Sequence, residues 1–276
     1  MATFFGEVLD VRSRAVDDDE DEDELLKNLS EPVILWSKEI QEELEKSQDK
    51  KFSCSNCVIA YGIEANAFTD IYITQKGYKK IGGIFPSVQD DETWASLKAS
   101  SRDKSCFLYQ SLNDPSVLVC QCNRDVLPEE SFWWAKLFID KLNLSSANIT
   151  ILATSSTGTY CSDTPASELE TPFLRALKTD KFDGTLACQT LEQPNLLTGF
   201  PAMLMTFFQI HQQKAVIYVC YTETKYMNIM DVKTFVPVSN VSPIKDIAAV
   251  SSPATNKDKL IRDLVERHTV HDTMYM

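Results

Sequence analysis

The sequence predicts an α/β fold with a central mixed sheet and helices on both of its faces. Short apolar runs typical of strands alternate along the chain with helical stretches, which is the pattern of a sheet covered by helices. The longest apolar run, residues 215–221, has the length of a buried strand. With 276 residues, 43% hydrophobic and 24% charged, the chain can form one large core or two small domains.

The first half of the chain contains several strand patterns and two helix patterns. The apolar run Val33–Trp36 opens the folded part, and a Glu-rich helical stretch follows it to about Lys46. Residues 58–61 are a strand candidate, and an amphipathic helix is expected from Glu64 to near Gly77. Further strands are predicted for residues 81–85, 106–109 and 117–122.

A strong helix signal lies near the middle of the chain, at Pro128. Proline is favourable in a first helical turn, and Glu129 and Glu130 suit the positive end of the helix dipole. We expect this helix to run to Leu142.

The rest of the chain alternates in the same way. A strand, a loop, a helix and a strand are predicted in turn for residues 148–152, 154–170, 201–211 and 215–221. The loop is rich in Ser, Thr, Gly and Pro. After Pro253 the composition becomes polar, with one helical stretch at residues 257–267 before the C-terminal tail.

These elements divide the chain into three parts. We expect an N-terminal segment with a disordered acidic run (residues 1–30), a single α/β domain (31–253), and a C-terminal helix with a flexible docking tail (254–276). The acidic run, residues 17–24, consists of eight carboxylates. Of the net charge of −13, it carries −8, and the rest of the chain carries −5. Like charges repel and stay solvated. Solvation is the favoured role, and recruitment of basic partners is the alternative.

Composition also indicates location and partners. Residues 1–10 lack the basic and apolar regions of a secretory signal, and no apolar run reaches a transmembrane length. We expect an intracellular, cytoplasmic protein without a transmembrane segment, with association with the endoplasmic reticulum as a second location. Nucleic-acid binding is disfavoured because basic residues occur as pairs, such as Lys79 and Lys80, and not as patches.

Two cysteine pairs have spacings found in metal sites. Cys54 and Cys57 are spaced as in a metal-binding hairpin, and Cys120 and Cys122 as in a chelating pair. A closed zinc site needs four ligands, usually in turns, whereas these cysteines begin or end apolar runs. We therefore predict buried core thiols in a reducing compartment.

Catalytic motifs are absent from the sequence. Gly82 and Gly83 lack the spacing of a phosphate-binding loop, and no G-x-S-x-G elbow occurs. His268 and His271 could approach each other on a helix, yet no further ligands lie nearby. We predict no catalytic, cofactor-binding or metal-binding residues. An α/β enzyme whose catalytic residues converge from distant positions remains the alternative.

The candidate site is the C-terminus, Met274, Tyr275 and Met276. A hydrophobic residue, a tyrosine and a last residue with a free carboxylate form the tail that proteasome-binding proteins insert between neighbouring α-subunits of the 20S core particle. Terminal carboxylates are a recurring recognition element, and tyrosine offers apolar area with a polar end. By composition about one terminus in 80 would match, so the motif alone is weak.

Several segments along nearly the whole chain resemble the proteasome assembly chaperone family, in particular its chaperone 1 members. They are residues 2–8 (ATFFGEV), 113–117 (NDPSV), 120–122 (CQC), 148–152 (NITIL), 172–179 (PFLRALKT), 191–195 (LEQPN) and 218–222 (YVCYT). Residues 12–51 and 256–273 match least, so the acidic run carries no inference from the family.

The resemblance implies a phosphorylase-like three-layer α/β sandwich and a non-enzymatic function. It implies a heterodimer with proteasome assembly chaperone 2 that sits on the outer face of an assembling proteasome α-ring. There the pair would promote ring formation, block premature ring association and be absent from the finished proteasome. The tail would dock in an α-subunit pocket. A phosphorylase-like enzyme of unknown substrate is the alternative.

Overall fold

The computed structural model describes residues 31–86, 106–162, 168–223, 226–248 and 257–273, with side chains described to Arg267 in the last range. The acidic run and the predicted docking residues Met274, Tyr275 and Met276 lie outside the described residues.

The described strands and helices occur in the following order. The strands are β1 (Val33–Trp36), β2 (Phe52–Ser53), β3 (Asn56–Tyr61), β4 (Tyr78–Phe85), β5 (Cys106–Ser111), β6 (Val117–Cys122), β7 (Leu142–Asn143), β8 (Asn148–Ser156), β9 (Phe173–Lys178) and β10 (Lys214–Thr222). The α-helices are α1 (Lys38–Lys46), α2 (Ile63–Thr69), α3 (Ser131–Lys141), α4 (Gly199–Ile210), α5 (Ile229–Thr234), α6 (Ile244–Ala248) and α7 (Lys257–Thr273).

Eight of these strands form one mixed sheet in the order β1-β4-β5-β6-β3-β8-β10-β9. The central strands β6, β3, β8 and β10 run parallel to one another. Antiparallel strands flank them, with β5, β4 and β1 on one side and β9 on the other. The predicted central mixed sheet is therefore confirmed.

Helices cover both faces of the sheet, as predicted. Along β10, Ile217 and Val219 belong to the core cluster that includes residues of α1, α3 and α4, whereas Val216 and Tyr218 belong to the cluster that includes residues of α2, α5, α6 and α7. This alternation follows from the two-residue period of a strand, and burial of both faces is characteristic of parallel strands. The result is three layers: helices, sheet and helices.

Several boundaries differ from the sequence prediction. The predicted loop at 154–170 begins too early, because β8 continues through Ser156. The helix predicted from Glu64 changes into a π-helical turn at Asp70–Thr74, and α7 continues to Thr273 instead of ending at Arg267. The sequence analysis missed β2, β7, β9, α5 and α6. Charged Arg175 interrupts the apolar pattern of β9, which lies at the sheet edge, and the two helices are too short to show a clear period.

The cysteine prediction is confirmed for three residues and wrong for one. Cys54, Cys57 and Cys120 are buried thiols, and burial raises the pKa of Cys120 to about 12. Cys122 was predicted to be a thiol as well, but it forms a disulfide with Cys106. The two residues lie directly opposite each other on the antiparallel strands β5 and β6, a pairing that cannot be deduced from spacing along the chain.

A largely buried carboxylate lies in the π-helical turn. Asp70 accepts hydrogen bonds from Gln121 Nε2 at 2.7 Å and Thr74 Oγ1 at 3.3 Å. Burial raises the pKa of Asp70 above its ordinary value, and it outweighs these hydrogen bonds and the attraction of Lys80 and Arg267. Because the charged form is disfavoured, the ionised carboxylate opposes folding at neutral pH.

We expect Asp70→Asn to be more stable than the wild type at pH 7, because the amide oxygen can still accept the Gln121 hydrogen bond without a buried charge. The folded-state pKa is raised, so the wild type gains stability as the pH falls through that pKa towards the unfolded value of about 3.9. The advantage of the variant should therefore shrink with acidification, as followed by denaturant unfolding at several pH values. The exposed Asp140→Asn is the control. A less stable Asp70→Asn at pH 7 would show that the attraction of Lys80 and Arg267 dominates.

Candidate functional site

Helix α7 leads directly to the predicted docking residues. It ends at Thr273, and Met274, Tyr275 and Met276 are the next residues in the sequence. The helix predicted for residues 257–267 is therefore six residues longer than expected at its carboxyl end. A helix of 17 residues is about 25 Å long at 1.5 Å per residue.

Apolar contacts attach the N-terminal half of α7 to the body of the protein. Ile261 is fully buried in the core between the sheet and the helices α2, α5 and α6. Leu260, Leu264 and Val265 are partly buried against the same core. Burying one isoleucine side chain contributes about 1.5–3 kcal/mol, so these contacts fix the helix to the domain.

Polar contacts at the start of α7 support this attachment. Asp258 Oδ1 lies 2.8 Å from Lys233 Nζ on α5, and the lysine ammonium lowers the pKa of Asp258. Lys257 Nζ lies 4.3 Å from the centroid of the Tyr72 ring, a cation–π distance. An acidic residue in the first turn also suits the helix dipole. The attached part of α7 thus begins at its first residue.

A second candidate site is a cleft of about 270 Å³ at the carboxyl ends of the parallel strands. Tyr61 of β3, Ser155 of β8 and Tyr221 of β10 line it, together with Asp125 and Leu196 from neighbouring loops. Open α/β sheets bind ligands at this edge. This is therefore where the alternative enzyme would have its active site.

The chemistry of the cleft does not suit phosphate chemistry. Tyr61 Oη donates to Asp125 Oδ1 at 2.9 Å and accepts from the Val126 amide at 3.3 Å. Burial and this carboxylate raise the pKa of Tyr61 to about 12, so its phenol stays protonated at neutral pH. The described lining contains no Lys, Arg or His, so it offers no cation to hold a phosphate.

A larger open groove, of about 570 Å³, lies at the amino end of β8, by Asn148. Asp183 on its wall pairs with Lys214 Nζ at 2.9 Å, and Asp246 accepts from Ser242 Oγ at 2.7 Å. These charges are satisfied locally. The groove also lies away from the sheet edge at which α/β folds bind ligands.

The described residues contain no cluster of three or more metal-ligating side chains. His268 and His271 belong to helix α7, but their side chains are outside the part that the structure describes. No helix in the described ranges is long and apolar enough to span a membrane.

The lysine pairs singled out in the sequence make local contacts. Lys79 Nζ lies 3.6 Å from Glu39, Lys80 Nζ lies 3.4 Å from the Phe107 ring centroid, and Lys51 donates to the Ile139 carbonyl.

An exposed apolar surface lies on the outer side of the paired helices α3 and α4. We define the α3/α4 face by Phe132, Trp133, Met203, Phe207 and Ile210. Phe132 and Ile210 are exposed, and the others are partly buried. The ring of Phe132 lies 5.4 Å from that of Phe207 and 5.1 Å from that of Trp133.

Comparison with known proteins places these features in a family. The family model PAC1, described as "Proteasome assembly chaperone 4", matches residues 1–276. The chain belongs to the PAC1 family. Proteasome assembly chaperone 1 from Xenopus tropicalis is 31% identical over 293 aligned residues, covering 100% of both chains. The Homo sapiens protein of the same name is 27% identical and covers 99% of both chains.

Solved structures similar to this PAC1-family chain agree with the fold. A Thermoplasma acidophilum protein of unknown function has a TM-score of 0.56 at 12% identity, covering 87% of this chain and 94% of that one. Pyrococcus furiosus PbaB, an archaeal proteasome activator, has a TM-score of 0.54 at 11% identity, covering 90% and 100%. At such identities the likeness concerns the fold alone.

Membership of the PAC1 family confirms the resemblance read from the sequence and supports a role in proteasome assembly. The family indicates no catalytic activity. Sequence reasoning missed the residues that attach α7 and the α3/α4 face. The signal for the face was present, since residues 193–213 contain no Asp, Glu, Lys or Arg.

We expect Ile261→Ala to detach α7, because truncating a buried isoleucine costs about 2–5 kcal/mol. Hydrogen exchange should accelerate at residues 257–267 while the amides of the central strands remain protected. The neighbouring exposed Lys259→Ala should leave exchange unchanged. If α7 in the Ile261→Ala variant exchanges as slowly as in the wild type, Ile261 is not the anchor.

Proposed function

We propose that this chain is a non-enzymatic chaperone of 20S proteasome α-ring assembly that acts as a heterodimer with proteasome assembly chaperone 2. It promotes ring formation and blocks premature or off-pathway ring association while its C-terminal tail occupies an α-subunit pocket. The observation that best supports this proposal is that a hydrophobic-Tyr-X terminus directly follows a helix attached to a PAC1-family domain. The location proposed is the cytoplasm, with endoplasmic-reticulum association as an alternative.

The tail suits a pocket between two subunits because each of its parts has a separate contact. The Tyr275 ring fills a slot, the Met274 side chain adds apolar area, and the carboxylate of Met276 pairs with a lysine. The apolar burial contributes roughly 3–5 kcal/mol, at about 1.5–3 for each large side chain. The charge-assisted hydrogen bond adds about 1.5–3 kcal/mol.

Ordering opposes these gains at on the order of 1–2 kcal/mol per residue. The remaining free energy corresponds to an affinity near the millimolar range. The folded body, or a second tail on the partner chaperone, must supply the rest through effective concentration. A lone tail is therefore insufficient, and a heterodimer on the ring accounts for the function better.

The attached helix α7 strengthens this proposal. Because the contacts of Ile261 and Asp258 hold the helix, the tail starts from a restricted position when the body lies on the ring. Less orientational freedom is lost on docking than from a flexible tether. The helix thereby raises the effective concentration of Tyr275 at a pocket within its reach.

Two other functions make distinct predictions. An enzyme at the cleft requires turnover of a substrate such as a nucleoside or phosphate ester, for which the described lining provides no cation. An adaptor acting through its acidic run requires residues 17–24. We expect deletion of this run to leave α-ring assembly nearly unchanged, as measured by reconstitution from purified subunits. Loss of assembly activity would favour the adaptor.

We expect Tyr275→Ala to weaken binding to α-ring intermediates because the slot loses its ring. One residue added after Met276 should do the same, since it displaces the carboxylate by about 3.5 Å, beyond hydrogen-bond reach of a lysine. Met276→Ala is the matched control and should bind normally, because the pocket contacts the terminal carboxylate of this residue and not its side chain. Pull-down of ring intermediates measures all three. Equal binding by all three variants would mean that the body carries the interaction.

We expect co-expression with chaperone 2 to yield a stable one-to-one complex on size-exclusion chromatography. The chain alone should self-associate or aggregate, because it exposes apolar side chains such as Ile210 and Leu196. A stable monomer that does not bind chaperone 2 would contradict the heterodimer.

A further inference from the structure

Helix α4 is apolar on its inner side and on one flank. Phe200, Leu204 and Phe208 are buried in the core, whereas Met203, Phe207 and Ile210 recur at i, i+4 and i+7 along the neighbouring stripe. Met203 and Phe207 are partly buried against the same core, but Ile210 is 70% exposed. The exposed part of this flank therefore lacks a cover within the described part of the chain.

The segment that contains this stripe is itself uncharged, and its nearest acidic contact is Asp180, which accepts from Gln209 Nε2 at 2.6 Å. Residues 193–213 contain no Asp, Glu, Lys or Arg in a chain that is 24% charged. On α3, Phe132 is 45% exposed and stacks edge-on against Phe207. Lys136 lies with its Nζ 5.2 Å from the Trp133 ring centroid. An occupant of the α3/α4 face must therefore be apolar, with an acidic or uncharged group opposite Lys136.

The area is of the size that a stable protein complex needs. Two leucines at the neighbouring cleft, Leu127 and Leu196, are 50% and 80% exposed, and the cleft shares Phe200 and Pro201 with α4. Together with the α3/α4 face these side chains present on the order of 400 Å² of apolar surface, at roughly 150–250 Å² per large aromatic side chain before partial burial. A standard interface takes about 800 Å² per partner, a little over half of it apolar.

We propose that the α3/α4 face is the surface covered by the partner chaperone in the heterodimer, so this inference rests on the proposed function. The partner contributes an apolar surface with a carboxylate near Lys136. A second copy of this chain fits less well, because two chains of net charge −13 repel each other and would bring lysine to both sides. A lipid surface would require a helix rimmed by Lys and Arg, which α4 lacks.

The position of the face is compatible with tail docking. The α3/α4 face belongs to the helical layer on one side of the sheet, and α7 packs in the layer on the other side. A partner on the α3/α4 face therefore leaves α7 and the tail accessible to the ring.

The test is a double variant, Phe132→Glu with Ile210→Lys, which leaves the net charge unchanged. Each new charge suits its own helix, since Phe132 is near the start of α3 and Ile210 is the last residue of α4. The matched control is Leu112→Lys with Met230→Glu, because both residues are 60% exposed and lie outside the face. All proteins should melt within about 3 °C of the wild type.

We expect the double variant to bind purified chaperone 2 on the order of 100-fold more weakly than the wild type, by calorimetry or sedimentation, since it places two charges within an apolar contact. The control should bind like the wild type. Equal binding by the double variant, or equal weakening by the control, overturns the assignment of this face and leaves the heterodimer standing. If the wild type itself does not bind chaperone 2, the heterodimer fails and this inference fails with it. Loss of self-association alone would make a second copy the occupant and overturn the proposal.

Discussion

The parallel pairing of β6, β3, β8 and β10 is the constraint on which the rest of the structure depends. Parallel strands require crossover connections, and their apolar side chains must be buried on both faces. In this chain α3 and α4 follow β6 and precede β10 on one face, while α2, α5, α6 and α7 cover the other. The positions of both candidate binding surfaces follow from this arrangement.

The same constraint determines where the cleft lies. The carboxyl ends of β3, β8 and β10 form a cleft in the usual place. Its tyrosine, Tyr61, is hydrogen-bonded to Asp125 and held protonated, and leucines surround it. The two parts of the molecule that we propose for binding belong to the outer helical layers, because α7 packs on one side of the sheet and α4, with its uncharged sequence, packs on the other.

Much of the fold can be read from the sequence because its signals are local. Continuous apolar runs predict β6, β8 and β10, and the proline-led stretches predict α3 and α4. Pairing across the sheet is not local, which is why the Cys106–Cys122 disulfide could not be deduced. Edge strand β9 was missed for a different, local reason, because Arg175 interrupts its apolar pattern.

The candidate sites divide in a similar way. The terminal tripeptide can be recognised in the sequence as a possible docking motif because its three residues are consecutive, and it stays a prediction. The attachment of α7 is not, since it depends on Lys233 and Tyr72 from distant elements. The uncharged stretch at residues 193–213 is visible in the sequence. Periodicity cannot tell which apolar side of α4 faces outward, because the stripes at Phe200 and Met203 are both apolar.

The most direct test of the central claim is a cryo-electron microscopy structure of this chain with chaperone 2 on an α-ring intermediate. We predict density for Tyr275 in a pocket between two neighbouring α-subunits, with the Met276 carboxylate within about 3 Å of a lysine. Helix α7 should approach that pocket from the attached body. A complex in which the body is bound to the ring while every pocket near α7 is empty would contradict the account.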